Sequence, residues 1–239
     1  MKKMIDLHMH IIPNVDDGAE SLEMSEQMLR MAIDQGIEVV FATSHSLVYE
    51  QYAEYIKYEY HRLLRMIDYK KLPIKLCLGC EVLYDIRCIA SILTNLETGR
   101  FPTLNGTKYV LTELYPGFAS GAIHHISKLT EKGWIPVIAH AERYPDLTVE
   151  TITKMKEVGC RIQVNIQSVT EENDEKIRNR TIKLLEKQLV DFVGTDAHGW
   201  KCRPPEAVKG IEYLYGHYEK EYVDDILYNN AMNMVLAET

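Results

Sequence analysis

Two rhythms of apolar residues alternate along this chain. Short runs at Met4–Leu7, Val39–Ala42, Ile74–Leu78, Tyr109–Leu111, Ile135–Ala139, Arg161–Val164 and Val190–Val193 fit strands buried on one or both faces. Between them, Leu22–Gln35, Tyr52–Tyr69, Ile86–Asn95, Ala122–Lys132, Thr151–Val158, Asp174–Gln188 and Pro205–Tyr215 repeat their apolar side chains at helical spacing. The first of these puts Met28, Leu29, Ala32 and Ile33 on one stripe and ends at Gly36, a residue suited to a helix stop. Strand-helix alternation of this kind predicts an α/β fold of parallel strands with crossover helices. Seven units at this length favour a closed or nearly closed barrel over an open sheet. No linker rich in Pro, Gly or Ser and no repeat divides the chain, so residues 1–239 read as one domain.

Barrel enzymes place their chemistry at the C-terminal ends of the strands, which makes those positions informative. The first strand ends in Asp6-Leu7-His8-Met9-His10, and alternation points His8 and His10 to the same side. Asn14-Val15-Asp16-Asp17-Gly18 follows, a Gly-ended acidic turn able to bring Asp16 or Asp17 back over the strand tip. Later strands end at His45, Glu81, Glu113, His140, and Asp196 with His198. Imidazole nitrogen mixed with carboxylate oxygen suits zinc, manganese or iron. One His-x-His pair has an ordinary structural explanation, whereas six strand ends all bearing His, Asp or Glu point to a multinuclear metal site.

Other residues sharpen this by contrast. His61 lies on a helix, His124 and His125 at the start of another, and His217 in a charged C-terminal stretch; none follows a strand, and all four read as structural or solvated. No Cys-x5-Arg loop, Gly-x-Ser-x-Gly elbow or phosphate-binding Gly-rich loop is present, leaving metal-activated water as the supported nucleophile. Arg143 and Arg203 each lie a few residues beyond a candidate ligand, and a guanidinium fork matches phosphate oxygens in shape and charge. The competing reading pairs them with Glu142 and Glu206. Asn165 also faces the rim as a candidate hydrogen-bond partner for substrate. Cys77-Leu78-Gly79-Cys80 ends a strand without opening a helix and reads as structural. Tyr49, Tyr52, Tyr55, Tyr58 and Tyr60 fit aromatic packing and a solvated helix face, with pocket lining or a homo-oligomer interface as the alternatives.

Composition excludes several classes. The chain is 46% hydrophobic and 26% charged, ordinary for a folded domain with a full core. Its net charge of −8 argues against a nucleic-acid binder, which needs a basic surface to displace counterions. Asp6, His8 and His10 interrupt any signal-like apolar start, and no segment is apolar enough for membrane insertion. Five cysteines, an odd number without an export signal, fit free thiols and a cytoplasmic protein.

The combination of Asp6–His10 with Val15-Asp16-Asp17-Gly18, Thr43-Ser44-His45, Glu81, Phe101-Pro102-Thr103-Leu104, Ile138–Tyr144, Gln163-Val164-Asn165, Asp196-Ala197-His198 and Arg203-Pro204-Pro205 resembles the bacterial manganese-dependent protein tyrosine phosphatases of capsule and exopolysaccharide synthesis. These belong to the polymerase and histidinol phosphatase (PHP) superfamily. The resemblance implies a distorted seven-stranded TIM-like β/α barrel, the PHP fold. It puts His8, His10, Asp17, His45, Glu81, Glu113, His140, Asp196 and His198 at the metal-ligand positions, and Arg143 and Arg203 at the phosphate contacts. It further implies two or three divalent ions, manganese first with iron or zinc as alternatives, and as partner a phosphotyrosine protein, a bacterial tyrosine kinase. Three such ions would bring the net charge from −8 to −2. The expected reaction is attack by metal-activated hydroxide on phosphotyrosine, with Glu81 bridging two ions and His45 or His198 as proton source. Ser46-Leu47-Val48 and Gly199-Trp200 depart from the family pattern. The alternatives are a PHP phosphoesterase acting on a small monoester such as histidinol phosphate, and a non-catalytic regulator that binds phosphoprotein.

Overall fold

A computed structural model describes residues 2–115, 117 and 119–236, without the side chains of Ala119, Ser120 and His124; the reading of His124 as structural therefore lies outside what is described. Strands and helices alternate as β1 (Met4–Met9), α1 (Leu22–Asp34), β2 (Ile37–Ala42), α2 (Ser46–Lys70), β3 (Lys75–Leu78), β4 (Glu81–Tyr84), α3 (Ile89–Glu97), β5 (Tyr109–Leu114), α4 (Ala119–Glu131), β6 (Ile135–Ile138), α5 (Val149–Glu157), β7 (Arg161–Asn165), α6 (Glu175–Glu186), β8 (Phe192–Gly194) and α7 (Val208–His217). Every strand pair is parallel, in the orders β1-β2-β3 and β4-β5-β6-β7-β8. The sheets meet at both edges. Met9 bridges Ala197, with His10 N–H donating to Ala197 O at 2.9 Å, and His45 bridges Glu81.

Where seven strands were expected, the described residues form eight strands in two sheets. The apolar run ending at Leu78 and the segment from Glu81 are separate strands: Gly79 N–H still donates to Ala42 O, but Glu81 N–H donates to Ser44 O beyond the end of β2. No helix separates β3 from β4, so periodicity merges them. The α2 helix starts at Ser46 rather than Tyr52, because Tyr52 breaks it (φ −126°, ψ 24°) and only the second piece carries a clear stripe. The α4 helix begins at Ala119, which puts His125 inside it rather than at its start. Three short segments, Lys220–Asp224, Asp225–Asn229 and Asn230–Val235, went unforeseen.

Ile5 and Leu7 pack with Val39, Phe41, Leu111, Val137 and Phe192, so the two sheets face each other across a shared core. Met234 and Val235 belong to that core, and Lys75 Nζ, at the first residue of β3, donates to Val235 O at 2.9 Å. The C-terminal segment therefore closes the end where the strands begin, leaving the opposite end for chemistry. Between Asp6 and Met9 the register of β1 slips: Asp6 pairs with Val40 and Met9 with Ala42. Such a bulge re-aims side chains. Met9 accordingly joins the main helix-facing core instead of continuing the face of Ile5 and Leu7. Buried Asp6 ties β1 to β8, accepting from Thr195 N–H at 2.8 Å and Thr195 Oγ at 2.5 Å.

Cys77 and Cys80 are buried free thiols; burial pushes Cys77 up to about 11 and raises Cys80 well above the ordinary thiol value, which fits inert packing. Tyr49 is buried with its hydroxyl on Gly79 O, Tyr60 donates to Leu76 O, and Tyr52, Tyr55 and Tyr58 are exposed, so the tyrosine cluster divides as packing and solvated face. His61 and His217 are exposed. Among the described residues, no helix is long and apolar enough to cross a membrane.

A Cβ at Gly194 would lie 2.8 Å from His8 Cβ and 3.1 Å from His8 N. Gly194→Ala is expected to lower stability by about 1–3 kcal/mol, as overpacking does. Gly216→Ala, where a Cβ meets nothing within 4 Å in α7, is expected to be neutral or slightly stabilising. Urea unfolding of both variants checks this, and equal effects would contradict it.

Candidate metal centre

At and just after the register slip in β1, His8 and His10 converge, with their Nε2 atoms 3.1 Å apart and both rings fully buried. Glu81, the first residue of β4, lies among four imidazoles. Its Oε2 is 3.3 Å from His8 Nε2, 3.3 Å from His10 Nε2 and 3.1 Å from His45 Nδ1, and its Oε1 is 2.9 Å from His140 Nε2. Burial alone would raise this carboxyl; the imidazoles, His8 foremost, overcome that and hold it well below the usual range.

Asp196 forms the opposite wall. Its Oδ1 lies 3.5 Å from His8 Nε2 and 3.6 Å from His10 Nε2, while Arg143 and Arg203 both reach its Oδ2 at 2.6 Å. Burial would raise this carboxyl, but the charges of His8, Arg143 and His140 outweigh it and keep it well below the ordinary carboxylate value. Neither arginine pairs with Glu142 or Glu206 in the way the competing reading required. Glu142 is buried and accepts from Asn165 N–H and Ser168 Oγ–H instead. Asp17, 63% exposed at its side chain, extends Oδ1 to 3.3 Å from both His45 Nε2 and His198 Nε2. Glu113 is half-buried on β5, and oxygens of Glu113 and Glu81 with a nitrogen of His45 lie within 4.8 Å of one another. Burial, reinforced by the charge on Glu81, raises the Glu113 carboxyl.

All nine residues expected as ligands are thus brought together, in three overlapping groups with His140 and Asp196 alongside. The donor set is five imidazoles with four carboxylates, which fits hard-to-borderline divalent ions. Of the buried imidazole nitrogens, His140 Nδ1 has no hydrogen-bond partner among the described residues, and His198 Nε2 has only the ion-pair contact to Asp17 Oδ1 at 3.3 Å. Orphans of this kind fit donors meant for a cation.

Sequence reasoning gave Asp16 only as the alternative to Asp17 over the strand tip and gave Gln163 no separate role, yet both orient the donors. Asp16 is the main one: its Oδ2 pairs with His10 Nδ1 at 2.9 Å and accepts from His45 N–H at 3.1 Å, and its Oδ1 accepts from Gly18 N–H. Adjacent acids at a turn point apart, so Asp16 and Asp17 take different jobs. Gly18 is required because a Cβ there would sit 2.1 Å from His10 O. Gln163 is the second: its Oε1 accepts from His140 N–H at 2.7 Å and lies 3.4 Å from His8 Nδ1. Asn165, read as a substrate contact, instead spends its amide N–H on Asp196 Oδ2 at 3.2 Å and its oxygen on Gln163. The only sequence signal for the orienting role was position: Gln163 and Asn165 lie two apart at the end of β7. His140, Asp196 and Arg203 all adopt left-handed backbone (φ 34°, 52° and 52°), strain of a sort concentrated at functional sites.

Three comparisons bear on this geometry. Residues 4–236 match the family model described as capsular polysaccharide synthesis, CpsB/CapC. The chain is 28% identical over 242 residues to the tyrosine-protein phosphatase CpsB of Streptococcus agalactiae serotype III (strain NEM316), covering 97% of this chain and 98% of that protein. It is 29% identical over 241 residues to the tyrosine-protein phosphatase YwqE of Bacillus subtilis (strain 168), covering 98% and 91%. Among solved structures, one from the work on YwqE of B. subtilis and CpsB of Streptococcus pneumoniae, described as unique metal-dependent tyrosine phosphatases, superposes with a TM-score of 0.83 at 28% identity, covering 98% of this chain and 93% of that one. The histidinol phosphate phosphatase of Lactococcus lactis shares the fold alone, with a TM-score of 0.54 at 15% identity over 98% and 92% of the two chains.

Burial would lower His10, but its bonds to Asp16 and Glu81 raise it to about 10, and His45 and His140 are raised as well. His198 goes the other way, to about 4, through burial and the positive charge of His10. A metal-free cluster therefore holds protons at pH 7 that a cation must displace. Loading with a divalent ion at pH 7 is expected to release about one proton or more, read by calorimetry in two buffers of different ionisation enthalpy, with affinity falling as pH drops. Buffer-independent heats would contradict this. Asp16→Ala, which frees the His10 ring, is expected to weaken metal binding by about 10–100-fold without removing a donor. Equilibrium dialysis measures it, and unchanged affinity would show that Asp16 does not orient the donors.

Proposed function

The chain belongs to the CpsB/CapC family of capsular polysaccharide synthesis, and from that premise we propose that it is a metal-dependent protein-tyrosine phosphatase whose domain spans the whole chain. The observation that carries this reading is the pairing of a nine-residue donor cluster with two guanidinium groups on one carboxylate oxygen at its edge. We assign His8, His10, Asp17, His45, Glu81, Glu113, His140, Asp196 and His198 as holders of two or three divalent ions, manganese first, with iron or zinc as alternatives. Such ions supply Lewis acidity toward phosphate and lower the pKa of water from about 15.7 toward about 7.

The chain's own residues do the rest. Arg143 and Arg203 are each 40% exposed at the side chain, so donors beyond those spent on Asp196 remain for phosphate oxygens. Both line a cavity of about 220 Å³ with Asp196, Asn165 and Ser168. There they bind and orient the phosphoryl group and offset the negative charge on its oxygens. Tyrosine phenol has a pKa of about 10, so its oxygen departs with little proton assistance. The little that is needed comes from His45 or His198, which we assign as proton source as well as metal ligand. The substrate is a phosphotyrosine protein; a cytoplasmic setting and a tyrosine kinase of the capsule machinery as that protein extend the same reading.

Manganese-loaded protein is expected to hydrolyse a phosphotyrosine peptide in preference to histidinol phosphate. Arg143→Ala and Arg203→Ala should each lower kcat/KM by about 10²–10³-fold, as loss of a positioned charge donor does. A preference for histidinol phosphate would favour the small-monoester alternative, and absence of phosphate release with any of manganese, iron, zinc or magnesium would favour a binding protein.

A further inference from the structure

Asp17 is the most exposed of the expected donors, at 63% of its side chain. Its Oδ1 reaches His45 and His198, and beyond these contacts the described residues give its side chain no partner. What holds Asp17 in place is the loop that carries it. The neck of that loop is closed by Asn14 N–H donating to Ala19 O at 2.7 Å and Ala19 N–H donating to His10 O at 3.1 Å. Its buried side is held by Asp16, on His10 Nδ1 and the His45 N–H. On its exposed side, Asn14 Nδ2 donates to the Tyr55 hydroxyl at 3.2 Å. Asn14 stands there in left-handed backbone (φ 58°), which asparagine accepts more readily than most residues.

Tyr55 lies in α2 just past the break at Tyr52, and the residue that caps the start of α2 is His45, one of the two imidazoles that Asp17 touches. Loop and helix are therefore joined twice, by both acids at His45 and by Asn14 at Tyr55. Of the three donor groups, only the one made of His10, Asp17, His45 and His198 includes Asp17; the others are His8, His10 and Glu81, and His45, Glu81 and Glu113. A cation in the first group depends on the spacing of loop and helix, because Asp17 comes from one and His45 leads into the other. We propose that Tyr55 is a positioning residue of the metal centre: its bond to Asn14 latches the Asp17 loop to α2 and sets how firmly that one group retains its ion. This rests on the metal-centre reading above and separates one ion from the rest. The bond is exposed and adds little to folding, so its loss acts on the ion and not on the fold.

The test uses the manganese-loaded full chain, mixed rapidly with an excess of the chelating dye 4-(2-pyridylazo)resorcinol, whose absorbance follows the release of each ion. Tyr55→Phe keeps the ring and removes the hydroxyl, and Asn14→Gly removes the amide while preserving the left-handed backbone. Each should speed the release of one ion by about three- to tenfold, the scale of one hydrogen bond, and leave the remaining ions at their wild-type rates. The double variant should show less than the product of the two single effects, because both remove the same bond. The melting temperature of the metal-free Tyr55→Phe protein should match that of wild type. Wild-type release from both single variants overturns the latch, as does equal acceleration of every ion, or a double variant that shows the full product. If the wild-type chain binds no manganese, the metal-centre reading itself fails and takes this one with it.

Discussion

A carboxylate 1% exposed, with an imidazole against it on four sides, is the constraint around which this protein is organised. Glu81 cannot be left alone in the interior, since an unpaired buried charge is strongly destabilising. Its neighbours must supply positive charge, either as protons on histidine or as divalent cations. The first solution makes the cluster a proton store at neutral pH, and the second makes it a catalyst. Folding, protonation and metal loading therefore draw on the same set of contacts.

Asp196 plays the matching part on the other wall. One of its oxygens faces the histidine pair and the other holds Arg143 and Arg203, so one carboxylate stands between the imidazole cluster and the two guanidinium groups. The arginines do not float beside the site but are fixed by the same residue that helps to build it. Preorganised charge of this kind need not reorient when substrate arrives. Left-handed backbone at His140, Asp196 and Arg203 fits a rim whose geometry is dictated by function more than by local comfort.

Much of this was legible in the chain. Parallel strands joined by helices followed from periodicity, and most donors followed from what stood at the strand ends, because the C-terminal ends of parallel strands converge whatever their separation in sequence; Glu81, expected at a strand's end, instead opens β4. Other features were hidden for identifiable reasons. β4 was absorbed into β3 because Gly79-Cys80 is too short to carry a helix. Asp16 looked interchangeable with Asp17, although one is turned inward on His10 and the other outward toward His45 and His198. Gln163 carried no chemical signature at all; only its distance to His8 and His140 reveals its task. Asn165 faced the rim as expected but was already committed to Asp196.

By itself, the sequence determined which chemistry this protein is able to hold: residue types at strand ends specify nitrogen and oxygen donors, and side-chain alternation specifies that His8 and His10 share a face. The tertiary structure alone decided how those donors are aimed. The register slip in β1 turns the histidine pair, Gly194 leaves room for it, and Asp16 and Gln163 hold the rings in place. Alternation and composition are local properties, readable one residue at a time. Orientation is set by contacts between segments as far apart as residues 8 and 163, and those exist only once the chain has folded.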